Sequence, residues 1–207
     1  MPALRIGVFG GAFDPPHDAH VALARAAIGE LQLDRLHVLP TGDAWHKARR
    51  LSPGVHRLAM CRLAFGALPE VCVDERELRR DGPTYSIDTL DELHAENPAA
   101  ALFLLIGADQ AAAFQRWRRA TDILRIATIL IAVRADPESA EGYFDINDPL
   151  PGLTPSAGQV RVLALPPMRH SATEVRRLAA AGQPIGHLVP APVAGYIAAH
   201  HLYPQPA

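Results

Sequence analysis

Six short apolar runs recur along the chain, at residues 4–9, 36–40, 71–73, 102–106, 126–133 and 160–165. Each has strand length and reads as a strand, the first of them buried. Between and after them lie stretches in which apolar residues return every three or four positions. Val21, Leu23, Ala24, Ala27, Ile28 and Leu31 do so after the first run, and Leu58, Cys61, Leu63, Ala64 and Leu68 do so over residues 55–68. A helix is also predicted from Ser86, taken as its N-cap, to about His94, where Asn97-Pro98 stops it. Trp117 falls in a short basic helical stretch with Arg116, Arg118 and Arg119. Two more helices follow, one from Ser171 ended by Gly182 and one in residues 190–203 carrying Val193, Tyr196 and Ile197. Strand alternating with helix predicts βαβ units with right-handed crossovers. The expected architecture is α/β: one Rossmann-like, doubly wound, mainly parallel sheet with helices on both faces. Residues 102–106, the most apolar run, are expected at its centre.

Two segments break the pattern. Residues 75–81 alternate in charge and are expected at the surface. Residues 135–158, rich in Pro, Gly, Asp and Glu, are expected to form a long irregular, mobile excursion. Repeats, linkers and low-complexity tracts are not evident, so residues 1–207 are expected to form a single domain, with 171–203 as its C-terminal helical part.

Composition narrows the class. A chain of 207 residues with 49% hydrophobic and 20% charged content fits a soluble globule. A net charge of −2 does not suggest a nucleic-acid or membrane surface. The chain enters its first strand directly, without a signal-peptide pattern, and no apolar run approaches membrane-spanning length, so a cytoplasmic protein is expected. Cys61 and Cys72 form no C-x-x-C pair and no disulfide framework.

The candidate chemistry starts at Gly10-Gly11-Ala12-Phe13-Asp14-Pro15-Pro16-His17-Asp18-Ala19-His20, between the first strand and the first helix. A glycine turn entering a helix presents backbone N–H groups and the positive end of the helix dipole to an anion. The adjacent glycines do not make G-x-G-x-x-G, and no Lys-Ser/Thr follows to make a Walker loop. His17 and His20 stand there instead. Three apart, they share a helical face from which imidazole N–H groups can donate to phosphate. Asp14 reads as a cap for this helix and Pro15 or Pro16 as a first-turn residue.

Other stretches invite two readings each. The basic loop 42–53, with His46, Lys47, Arg49 and Arg50, is a solvated charged loop or an anion clamp at the carboxyl edge of the sheet. Tyr85, just outside a helix start, is placed to stack on a flat ring. Asp109, after Gly107 at the end of the most apolar strand, is a ribose ligand or a helix cap. Trp117 is a half-buried anchor or a stacking surface. Ser171 and Glu174 fit a capping box, S-x-x-E. Thr173 and Arg176 lie outside that box, and a hydroxyl with an arginine one turn into a helix makes a second phosphate site. His200 and His201 are expected at the surface.

The run Gly-Gly-x-Phe-Asp-Pro-x-His resembles the signature of the H-x-G-H nucleotidyltransferase superfamily, with Ala19 in the glycine position, where its methyl can crowd a nucleotide. Joined to Lys47, His56-Arg57-Leu58-Ala59-Met60, residues 82–90, Gly107-Ala108-Asp109, Trp117, residues 171–176 and residues 196–203, it is similar to the bacterial nicotinate-nucleotide adenylyltransferase family over nearly the whole chain. That family often has a second serine where Ala172 stands. The resemblance implies AMP transfer from ATP to nicotinate mononucleotide, with Mg²⁺ accompanying ATP. It implies catalytic roles for His17, His20 and Arg176. Gly10, Gly11, Phe13, Lys47, Gly107, Asp109, Arg134, Ser171 and Thr173 would bind ATP and its phosphates. Thr84, Tyr85, Ser86 and Trp117 would bind the mononucleotide, and no residue is implied as a dedicated metal ligand. Three alternatives stay open. One is a related enzyme with nicotinamide mononucleotide or phosphopantetheine as acceptor. Another is a nucleotide sensor without turnover, and the third is a hydrolase holding a metal on His17, Asp18 and His20.

Overall fold

In the computed structural model, the described residues are 3–42, 51–134, 144–166, 168 and 170–204. The six apolar runs form β1 (Arg5–Gly11), β2 (Arg35–Pro40), β3 (Val71–Val73), β4 (Ala101–Gly107), β5 (Ala127–Arg134) and β6 (Val160–Leu165). They make one sheet in the order β3-β2-β1-β4-β5-β6, and every neighbouring pair is parallel. The helices are α1 (Asp18–Leu31), α2 (Gly54–Phe65), α3 (Ser86–Glu96), α4 (Ala108–Ala113), α5 (Ala120–Ile126), α6 (Ala172–Ala180) and α7 (Ala191–Ala199).

Alternation along the strands sorts the apolar side chains onto two faces. Phe9, Leu36, Val38, Phe103, Leu105, Leu130 and Leu163 join α1, α2, α6 and α7 in one core cluster. Ile6, Val8, Leu39, Leu102, Leu104, Ile106, Ile129 and Ile131 join α3, α4 and α5 in the other. Burial on both faces explains why the central strands read as continuous apolar runs. The strand order reverses between β1 and β4. That is the switch point outside whose carboxyl ends open α/β sheets hold their ligands. Because all pairs are parallel, the segments after Gly11, Pro40, Val73, Gly107, Arg134 and Leu165 emerge at this same edge.

Four local expectations need correction. Residues 75–81 do not simply line the surface. Arg76–Arg79 is a 3₁₀ turn, and Glu77 within it is buried. Arg76 is the reason the segment is drawn in. Its Nε donates to Asp74 Oδ2 (2.8 Å) and its Nη1 to Glu96 Oε1 of α3 (2.9 Å), while His37 Nδ1 of β2 donates to the same Asp74 oxygen (2.9 Å). Burial works against the Asp74 carboxylate, but these donors outweigh it and hold its pKa well below the usual range. Second, Ser86 is the first residue of α3 and Tyr85 is its N-cap, one position from the expected cap. Third, Trp117 is not helical. It stands in extended conformation (φ −70°, ψ 146°) after the 3₁₀ turn Phe114–Arg116, and Arg119 then takes a left-handed φ of 53° to open α5. Fourth, α1 begins at Asp18 with His17 as N-cap, so Asp14 does not cap it and Pro15 and Pro16 precede its first turn.

Of the excursion, residues 144–158 are irregular, and Leu150 is buried in the second cluster with Phe144 and Leu153 against it. Residues 135–143 lie outside the described ones, as does most of the basic loop, residues 43–50. Cys61 is buried and Cys72 exposed, both as free thiols, and burial pushes the Cys61 thiol up. His200 and His201 are exposed, as expected.

Candidate active site

The turn from β1 to α1 is built around Phe13. Its φ of 44° is left-handed, a conformation a bulky residue keeps only when its surroundings hold it there. The ring supplies that hold. It is buried edge-on against Phe9 (5.2 Å between centroids) and Phe65 (5.9 Å). Gly11 makes the space, since a Cβ there would come within 3.0 Å of the Phe13 ring. On its other side the Phe13 ring meets His20 at 5.1 Å, so the core fixes one imidazole directly.

His17 and His20 stack, with centroids 3.7 Å apart and ring planes 28° from parallel. The His17 backbone N–H donates to His20 Nδ1 (3.1 Å). Nδ1 is therefore an acceptor, and the neutral ring carries its proton on Nε2. This assigns His20 the role of an N–H donor. His17 is 3% exposed at the N-cap. Ala19 is buried in the first turn of α1.

Two arginines clamp the turn. Arg57 of α2 donates through Nη1 to the Ala12 carbonyl (3.0 Å) and through Nε to the Ser52 carbonyl (2.9 Å). Arg176 of α6 donates through Nη1 to the Asp14 carbonyl (2.8 Å) and through Nη2 to Thr173 Oγ1 (3.0 Å). The expected second phosphate site, Ser171, Thr173 and Arg176, is thus joined to the first. Ser171 caps α6 by accepting the Glu174 N–H (3.2 Å), and Glu174 is paired with Arg177 (2.7 Å) rather than Arg176. A cleft of about 670 Å³ opens beside Arg176, lined also by Ser52, Arg177 and Tyr203.

The other candidates lie along the same edge. Gly107 ends β4 and caps α4. Asp109 is the second residue of that helix, not its cap, and its carboxylate folds back over Gly107. Tyr85 and Trp117 both pack, half-buried, against the second cluster, Trp117 on Phe114 (5.1 Å). Arg118 lies over the Tyr85 ring at 4.6 Å, which covers one face of the ring expected to stack. Thr84 Oγ1 is buried without a hydrogen-bond partner among the described residues, and a Cβ on Gly42 would sit 2.9 Å from it and collide with the Glu77 carbonyl. Gly42 is therefore a close approach between the β2 and β3 loops, one that alanine would force apart. Gly10 lies in β1 and Arg134 ends β5. Lys47 is outside the described residues.

A cytidylyltransferase-like family model matches residues 8–178. A probable nicotinate-nucleotide adenylyltransferase of Albidiferax ferrireducens is 52% identical over 96% of this chain and 98% of its own length. Another, of Laribacter hongkongensis, is 40% identical over 98% and 96%. The chain belongs to the nicotinate-nucleotide adenylyltransferase family. The fold agrees. Plasmodium falciparum nicotinic acid mononucleotide adenylyltransferase complexed with NaAD superposes with a TM-score of 0.74 over 97% of each chain, at 17% identity.

For an adenylyltransferase, the residues that sequence reasoning missed are Arg57, Arg118, Asp14 as a hub, and Tyr203. Arg57 lies in a quoted motif but carried no assigned role. A buried arginine is costly unless satisfied, and only the fold shows which carbonyls satisfy it. Among the described residues no group of three or more His, Cys, Asp or Glu side chains gathers to hold a metal ion. His17, Asp18 and His20 are accordingly not gathered into the three-ligand group that the hydrolase reading requires.

Proposed function

We propose that this protein transfers AMP from ATP to nicotinate mononucleotide, giving deamido-NAD and pyrophosphate, at the carboxyl edge around the β1–β4 switch point. A phosphate oxygen of the mononucleotide attacks the α-phosphorus of ATP. The bond from that phosphorus to the α,β-bridging oxygen breaks, and pyrophosphate leaves with the electron pair. The attacking phosphate is already an anion, so no side-chain nucleophile is required. Positioning and preorganised donors carry the step. His20, its Nε2 proton fixed by the His17 N–H at Nδ1, donates to the α-phosphoryl oxygens beside His17. Ser171, Thr173 and Arg176 hold the departing β- and γ-phosphates, and the Gly10–Phe13 backbone and Lys47 line the same anion. Mg²⁺ accompanying ATP would supply further charge neutralisation. Gly107, Asp109 and Arg134 serve the adenosine side. Trp117 stacks on the pyridine ring, with Thr84, Tyr85 and Ser86 beside it. Arg118, held over Tyr85, supports the acid over the amide by setting a cation near the ring carboxylate.

The observation that carries this reading is the single hydrogen-bonded unit formed by the two phosphate motifs, 162 residues apart, through Arg176 and Asp14. On this reading residues 1–207 act as one nucleotidyltransferase domain in the cytoplasm. No helix among the described residues is long and apolar enough to cross a membrane. The test is pyrophosphate release with ATP and Mg²⁺, with nicotinate and nicotinamide mononucleotides offered in parallel. Preference for the acid by roughly tenfold or more is expected, as a site built to pair a polar group discriminates strongly. Preference for the amide refutes the substrate assignment, and release with neither refutes the activity.

A further inference from the structure

Asp14 is 2% exposed, and a carboxylate so buried must be matched by donors. One of these comes from the far end of the chain. The Tyr203 hydroxyl donates to Asp14 Oδ1 (2.8 Å), across 189 residues, and the Ser52 N–H donates to Oδ2 (3.0 Å). The Asp14 carbonyl meanwhile accepts from Arg176 (2.8 Å). Arg57 closes the ring by binding both the Ala12 and Ser52 carbonyls. Four segments therefore meet at one residue: the phosphate turn, the approach to α2, the Arg176 helix and the C-terminal tail.

The tail is shaped for this contact. After α7 ends at Ala199, His201 (φ 49°) and Tyr203 (φ 61°) both take left-handed conformations that non-glycine residues seldom adopt. Such a conformation persists where the surrounding structure over-determines it. Here the Leu202 N–H donates to the Ile197 carbonyl (3.1 Å), and the Leu202 and Tyr203 side chains pack against the first core cluster. Burial, and then the neighbouring Asp14 charge, push the Tyr203 phenol well above its ordinary pKa, so it remains a protonated donor at any working pH.

We propose that Tyr203 is a positioning residue of the phosphate site, which acts through Asp14 to hold the turn carrying His17 and His20 in place against Arg176. The tail thereby becomes part of the machinery for ATP. The kinetic half of this inference rests on the adenylyl-transfer reading above, but the structural half does not.

The experiment compares the full chain with its Tyr203→Phe variant, which keeps the ring and removes only the hydroxyl. Amide hydrogen exchange is read for peptides spanning residues 11–20 and for β4 and β5. Exchange in the turn is expected to rise about tenfold while the central strands keep wild-type rates. Unchanged turn exchange, or equal acceleration of turn and strands, overturns the proposal. In the pyrophosphate-release assay, kcat/KM for ATP is expected to fall about tenfold with the mononucleotide KM within about twofold. The Asp14→Asn, Tyr203→Phe double variant should lose little more than Asp14→Asn alone, because the two act as one unit. Additive losses, or a matching rise in the mononucleotide KM, also overturn it. A wild-type protein that makes no deamido-NAD refutes the functional reading instead, and the exchange comparison still decides the role of the tail.

Discussion

Glu77 makes the stability of this fold depend on pH with an unusual sign. It is 5% exposed in the 3₁₀ turn after β3, where burial raises its pKa from the ordinary 4.5 to about 7. Thr89 donates its hydroxyl to Glu77 Oε1 (2.8 Å) and accepts from Arg80 Nη1 (2.8 Å). These contacts favour the charged form but do not offset desolvation. Below pH 4.5 the folded and unfolded chains both hold the proton. Between 4.5 and 7 only the folded chain does, so its advantage is lost as pH rises through that window. The full loss is on the order of 3 kcal/mol by pH 8. Glu77→Gln keeps an oxygen for Thr89 and removes the ionisation. At pH 5 the variant should melt within about 2 °C of wild type, a difference of under ~1 kcal/mol. At pH 8 it should melt roughly 6 to 12 °C higher, as each kcal/mol is worth about 2 to 4 °C in a chain of this size. Thermal unfolding followed by circular dichroism at both pH values measures the two gaps. Equal gaps at pH 5 and pH 8, or a variant less stable at pH 8, would refute the reasoning. The Glu77 backbone carbonyl abuts Gly42, so the turn that carries this carboxyl also underlies the edge where the mononucleotide is proposed to bind.

Two substitutions separate the proposed halves of the site. His20→Ala should lower kcat by about 10²- to 10³-fold, the usual cost of removing one preorganised donor, with little change in the mononucleotide KM. Steady-state kinetics with turnover near wild type would take the imidazole out of the reaction. Trp117→Ala should weaken the mononucleotide about tenfold or more, in keeping with a lost aromatic stack, and spare ATP. Titration showing equal losses for both ligands would mean that Trp117 serves mainly to pack on Phe114.

Much of the architecture is legible from local pattern. Six apolar runs are six strands, the central ones apolar at nearly every position because they are buried on both faces, while β3 and β6 at the sheet edges are shorter or partly exposed. The alternation of strand and helix dictates parallel pairing. The glycine turn, the two histidines and the Ser171 cap are likewise local, since each depends on residues within one helical turn. What escaped local reading depends on partners far along the chain. Asp14 has the look of a helix cap, yet it is the meeting point of Ser52, Arg176 and Tyr203. Glu77 sits in a run of alternating charge that reads as surface, yet Arg76 ties Asp74 to α3 and draws the run inward. Trp117 follows a helical-looking stretch, yet the chain extends there before α5 begins. The sequence alone determined the six strands and their order, the longer helices and the residue types available for phosphate chemistry, but not the short helices α4 and α5, because periodicity and turn preference act over a few residues and show best in long elements. Only the tertiary structure decided which buried charges meet, because a carboxylate or guanidinium out of water takes whichever donor or acceptor the topology brings to it.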